Sequence, residues 1–119
     1  METQETVWQQ YVMYLLIMVL VFFASTTFGQ IQVTQFNAGW NSANDVEWVE
    51  DLDEVEVELI DIAKNPKLQQ KYKIVVVPTI LILQYDEEKK RYQADISFHM
   101  AATREEVQEK IDEIILSGF

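Results

Sequence analysis

The side chains best placed to do chemistry sit in Gly39-Trp40-Asn41-Ser42-Ala43-Asn44-Asp45, between an alternating apolar segment and a helix-like one. This is the outline of a reactive-site loop without a reactive group: it holds amides, one hydroxyl and one carboxylate. The chain contains no cysteine. Thiolate catalysis, disulfides, thiolate zinc sites and iron–sulfur clusters are therefore excluded. His99 is the only histidine. One imidazole is too few for a zinc ion, and no neighbouring serine or aspartate marks it as the base of a triad. No catalytic residue, metal site or cofactor is expected.

The other concentration of functional groups is acidic. Asp45 to Asp61 holds nine carboxylates and no base. A calcium loop needs oxygen ligands at fixed spacing around a turn glycine. Counted from Asp51, the glycine position is Glu56, and alternating valines there build a strand instead. Two readings remain: a solvated strand edge that resists edge-to-edge aggregation, or a patch that docks a basic partner. The whole chain carries 20 acidic and 9 basic residues, a net charge of −11. It has no basic face to displace counterions from phosphates, which excludes nucleic acid as a partner. Anionic lipid headgroups repel it as well.

The elements that must position these groups are legible from periodicity. Ile31–Phe36 alternates and is rich in β-branched and aromatic residues, a strand. "NSANDVEWVEDL" predicts a short helix, capped by Asn41 or Asn44, with Val46, Val49 and Leu52 facing inward. Val55–Ile62 alternates, with Val55, Val57 and Leu59 on one face and Glu54, Glu56 and Glu58 on the other. Asn65 as N-cap and Pro66 at the first helical position start a second helix, whose buried stripe is Leu68 and Tyr72. A proline cannot sit in a central ladder, so the next strand begins at or after Pro78. "DEEKK" predicts the turn of a hairpin and "RYQADISF" its return strand. Thr103 and Glu106 form a capping box for a last helix, with Val107, Ile111, Ile114 and Ile115 at helical spacing. The order β-α-β-α-β-β-α is a mixed α/β arrangement with helices on both faces of the sheet. At 119 residues there is room for one such domain, with no internal repeat or linker.

Ahead of it lies an apolar run. Tyr11–Ala24 is uninterrupted apolar and aromatic, and Tyr11–Phe28 is long enough to approach the roughly 20 residues of a spanning helix. A signal-peptide core of about 7–15 residues followed by small residues fits equally. "TTFG" before Gln30 resembles the ends of export signals of Bacteroidetes-type bacteria. The positive n-region of a signal is missing, since the first basic side chain is Lys64. The expected division is 1–29 as signal peptide or N-terminal membrane anchor, a hydrophobic helix, and 30–119 as the domain. Either reading places the domain in the cell envelope, periplasmic or anchored facing the periplasm.

"IDIAKNPKLQQKYKIVVVPTILIL" resembles the thioredoxin family from its second strand through its second helix to its cis-proline strand, with Asn65-Pro66, Tyr72, Ile74 and Pro78-Thr79 as the matching words. "FNAGW" resembles the approach to that family's redox loop and ends on its tryptophan, Trp40. The likeness runs over Ile31–Leu116 and implies a minimal thioredoxin-like fold with a mixed four-stranded sheet, similar to small exported or membrane-tethered thioredoxin family proteins. It implies a cis Val77–Pro78 bond facing the tryptophan loop. It also shows what is missing. The Cys-x-x-Cys positions are Asn41-Ser42-Ala43-Asn44, the buried acid of the first strand falls at Gln35, and the lysine that partners it falls near Glu58. An amide cannot take the place of a thiolate.

The expected function is therefore a redox-inactive interaction module, not an enzyme. A groove lined by Trp40, Asn41, Ser42, Asn44, Val77 and Pro78 holds an extended partner segment by backbone pairing, with the Asn side chains adding hydrogen bonds. Phe36, Trp40, Trp48 and Tyr72 read as core and groove wall. The expected partner is a protein or extended peptide, or a membrane-protein complex, with membrane contact through Tyr11–Phe28 if that segment is uncleaved. The alternative is a structural subunit of an envelope membrane complex, anchored by residues 11–28.

Overall fold

The structure is a computed structural model that describes residues 7–16 and 31–118. Residues 7–16 form a helix, α1, with exposed side chains. The rest of the apolar run, and the expected cleavage point before Gln30, lie outside the described residues. Among the described residues no helix is long and apolar enough to cross a membrane.

The domain is built on a four-stranded sheet of order β2-β1-β3-β4, with β1 at Ile31–Asn37, β2 at Glu56–Asp61, β3 at Thr79–Gln84 and β4 at Glu87–Gln93. β1 pairs parallel to β2 and antiparallel to β3, and β4 runs antiparallel to β3. Two α-helices follow in the domain, α2 at Pro66–Lys71 and α3 at Arg104–Ser117. Strand parity sorts the core into two clusters. On one face Ile31, Val33, Ile80, Ile82 and Tyr92 pack against Val46, Val49 and Leu52 and against Val107, Ile111 and Ile114 of α3. On the other Phe36, Ile60, Leu81 and Leu83 pack with Ile74 and Val77, flanked by Leu68 and Tyr72 from the α2 region.

α3 begins where Thr103 Oγ1 accepts the N–H of Glu106 at 3.2 Å. The reciprocal bond of the expected capping box is not made among the described residues. A cap contributes about 1 kcal/mol, whereas fully burying a Val or Ile contributes about 1.5–3 kcal/mol. Packing of the fully buried Val107 and Ile111 therefore decides that this helix forms. Asn65 does not cap α2 through its side chain; its Nδ2 instead donates to the Asp61 carbonyl at 3.0 Å.

Three expectations are corrected. The helix after β1 is instead two 3-10 helices, Gly39–Asn44 and Glu47–Asp51, neither with a side-chain cap. Val46, Val49 and Leu52 are buried as expected. On β2 the buried residue is Ile60, paired to Phe36, while Leu59 is exposed. The hairpin turns on two residues only, Tyr85 and Asp86, both at positive φ, and "EEKKRYQ" is the return strand. Positive φ at both central positions is the mark of a type I′ turn.

Candidate functional site

β1 delivers the chain to the first 3-10 helix at the end of the sheet. Asn41, 3% exposed, is turned inward there. Its Nδ2 donates to Asn37 Oδ1 at 2.9 Å, and its Oδ1 accepts from Asn44 Nδ2 at 2.7 Å. Asn37 Nδ2 donates in turn to the Asn41 carbonyl at 3.1 Å and to Asp45 Oδ1. Low helix propensity and strong local amide bonding explain why this stretch leaves the α-helical path. The consequence for the expected groove is direct. Asn41, and the amide nitrogen of Asn44, are committed to the frame of the loop and are not offered to a partner. The network ties the loop to the end of β1.

Trp40 is thrown outward, 71% exposed. Its ring meets Phe98 edge-on, with centroids 5.5 Å apart at 78°. Phe98 has a φ of 67°, the left-handed region in which a bulky residue is rare. The loop that holds it there is clamped by Asp95. Its Oδ1 accepts from Ser97 Oγ at 2.6 Å, from Ser97 N at 2.8 Å and from His99 N at 3.1 Å. These bonds, the Ser97 hydroxyl first, then the His99 and Ser97 N–H groups, hold the Asp95 carboxyl below its ordinary value.

Ser97 Oγ also lies 2.9 Å from His99 Nδ1. The expectation that His99 has no serine or aspartate neighbour is thus corrected: an Asp-x-Ser signal of a side-chain turn stood two residues away. The arrangement is still not a catalytic triad. The Ser97 hydroxyl donates to the carboxylate, whereas in a triad it donates to the imidazole and the carboxylate holds the other ring nitrogen. It is a loop clamp.

The Val77–Pro78 bond is cis. Val77 and Pro78 are both buried, so they back the site instead of lining its open surface. Thr79 Oγ1 donates to the Val76 carbonyl at 2.7 Å, and the Pro78 carbonyl accepts from Ala94 N at 3.0 Å. The 94–99 loop therefore touches both expected parts of the groove: the proline segment through Ala94 and Trp40 through Phe98. Ile96 of this loop is 100% exposed, and Val75, three residues before Pro78, is 81% exposed. Among the described residues no hydrogen bond engages the backbone N–H or C=O of Val75 or Val77, or the N–H of Val76. Ile96, Phe98 and Val75 were not among the expected site residues; each is an apolar residue that the pattern leaves outside both cores.

The remaining expected residues go elsewhere. Ser42 lines a separate cleft beside β2. The aromatic cluster is divided: Phe36 packs on Tyr72 with centroids 5.7 Å apart, Trp48 is half-buried against the α3 face, and Trp40 alone reaches the surface described here. Gln35 is buried, and Glu58 accepts from Gln32 Nε2.

No protein-family model and no curated protein matches the chain. Solved structures do. Thioredoxin 1 from the thermophilic eubacterium Thermosipho africanus superposes with a TM-score of 0.55 at 18% identity, over 73% of this chain and 97% of that one. A mutant thioredoxin from Halobacterium salinarum gives 0.56 at 18%, over 71% and 74% of the two chains. Thioredoxin-2 of the malaria parasite gives 0.55 at 18%, over 71% and 82%. The fold is thioredoxin-like. At these identities the likeness is one of architecture.

Proposed function

We propose that this thioredoxin-like chain holds extended polypeptide segments and performs no dithiol–disulfide exchange of its own. The observation that carries the reading is the segment that leads into the start of β3. Trp40, Val75 and Ile96 are exposed, and the backbone N–H and C=O of Val75 and Val77 and the N–H of Val76 make no hydrogen bond within the described residues. An extended segment laid there gains main-chain bonds, and its side chains gain apolar cover, which is how strand addition generates affinity. Trp anchors of this kind are each worth about 2 kcal/mol or more at the centre of an interface. The non-redox half rests on the lack of any cysteine in the sequence and on the Asn network that fills the loop. We place the domain in the cell envelope, on the strength of the apolar run Tyr11–Phe28 ahead of it.

The test is capture of partners by the full chain, compared with Trp40→Ala and Val75→Asp. Both positions are surface residues, so the fold tolerates the changes. The expected result is loss of the captured set in both variants. An unchanged set in both would refute the holding surface. Catalytic reduction of insulin with dithiothreitol would refute the non-redox half.

A further inference from the structure

Gln35 is a buried polar side chain with incomplete bonding. It is 3% exposed. Its Oε1 accepts the Val46 N–H at 2.7 Å, which fixes the amide so that its NH2 points the other way. Among the described residues nothing accepts from that Nε2. Yet every described side-chain nitrogen or oxygen sealed from solvent has a partner. Nε2 must therefore reach open space.

Gln35 is among the residues that line a cleft of about 210 Å³ between the first 3-10 helix and β2. Its strand residues come from β1 and β2, and neither Trp40 nor Phe98 lines it. Two carboxylates border it, both gathered around Asn37. Asp61 is the β1–β2 register partner of Asn37 and spends Oδ1 on the Ala63 N–H at 2.9 Å. Asp45 spends Oδ1 on Asn37 Nδ2. The second oxygen of each accepts nothing among the described residues, and no described basic side chain pairs with either. Leu59 and Ile60 supply an apolar wall.

The ligand must bring a cation with several donors, an acceptor close to it, and a modest apolar part. A lysine or arginine head would meet the carboxylates but leave Gln35 Nε2 without an acceptor. A free amino acid would bring a second, negative group that the carboxylates repel. The first residue of a polypeptide has the right set: an ammonium, a carbonyl oxygen one carbon further on, and a side chain. The cleft is smaller than the roughly 300–1,000 Å³ of drug-sized pockets, the scale of one or two residues. We infer that it binds the free N-terminus of a polypeptide, with the ammonium between Asp45 and Asp61, the first carbonyl on Gln35 Nε2 and the first side chain on Leu59 and Ile60.

The test is a titration of the isotope-labelled full chain with alanyl-leucinamide and with its N-acetylated form, followed by NMR. Resonances of the Gln35 side-chain amide and of Gly39 and Ser42 should move and saturate with the free amine at up to ~10 mM, where a millimolar site fills. Acetylation should weaken binding at least about tenfold. Asp61→Asn, which keeps the acceptor for Ala63, should weaken it about as much, and Asp45→Asn provides a second variant should the first disturb the fold. Equal binding of the acetylated form would overturn the inference. So would unchanged binding by both variants, shifts confined to Trp40, Val75 and Phe98, or the absence of any saturable shift. Because the holding surface is probed by different resonances, the two readings fail separately.

Discussion

Arg91 fastens the segment that leads into the proline turn, and its removal has a calculable effect. It stands half-buried on β4. Nη1 donates to the Lys73 carbonyl at 3.0 Å and Nη2 to the Tyr72 carbonyl, while Nε and Nη2 also reach the Glu88 carboxylate at 3.3 and 2.7 Å. The two carbonyls end α2, where the helix dipole favours a cation. A hydrogen bond to a charged group is worth about 1.5–3 kcal/mol. Water replaces part of that at so open a site, leaving roughly 1 kcal/mol for each carbonyl. The exposed pair with Glu88 adds about 0–1 kcal/mol. Arg91→Ala should therefore destabilise the domain by about 2 kcal/mol, or ~10 °C in Tm for a domain of this size. Arg91→Lys reaches one carbonyl without the planar fork and should cost about half as much. Glu88→Gln should cost less than ~0.5 kcal/mol. Thermal unfolding followed by circular dichroism separates the three. If Glu88→Gln lost as much as Arg91→Ala, the ion pair and not the carbonyl fork would hold this segment, and the reasoning would fail.

Other outcomes follow from the same structure. Lys73 has a φ of 52° at the end of α2, with Ile74 N bonded to the Gln69 carbonyl at 3.0 Å and Lys73 N to the Gln70 carbonyl at 3.2 Å; this helix-ending motif favours glycine, so Lys73→Gly should stabilise by about 1 kcal/mol in chemical denaturation. Replacing Tyr85 and Asp86 together by Asn and Gly matches the type I′ turn and should raise Tm by ~4–8 °C, equivalent to about 1 kcal/mol. Asp95 has a folded-state pKa below its ordinary 3.8, so its contribution is complete above that value and fades as pH falls through the lower folded one; NMR of Ser97 and His99 should show the loop loosening in that acid range, and Asp95→Asn should abolish the transition.

Much of this architecture is legible in the residues because burial writes a period into them. Ile31–Phe36 and the apolar positions of α3 sit against the core, so their spacing survives as pattern. The strand start at Thr79 follows from the missing N–H of Pro78. The failures have different causes. In "NSAND" the amides bond one another, and that local preference defeats the helix that Val46 and Val49 suggest. β4 is an edge strand of exposed Glu and Lys, so "DEEKK" has the composition of a turn although most of it is ladder; a Tyr-Asp turn gives no signal to correct that. Leu59 continues the valine alternation, but at that end of β2 the parity that meets a core residue is the one opposite Phe36. The site was half visible. Trp40 and the proline segment stood out by type, whereas Phe98 and Ile96 join them only because a side-chain clamp two residues wide folds their loop.

The two short 3-10 helices have one more consequence. The crossover from β1 to β2 is held to the body of the domain by the Val46–Gln35 bond at its middle and, at its far end, by Gln108 and Arg104 reaching Asp53 and Asp51. β2 itself has a neighbour on one side only. β4 is the other edge of the sheet, but it is joined to its neighbour by a two-residue turn. Amides of β2, where only Ile60 is buried, should trade their hydrogens with solvent well before those of β1 and β3, whose residues are nearly all buried.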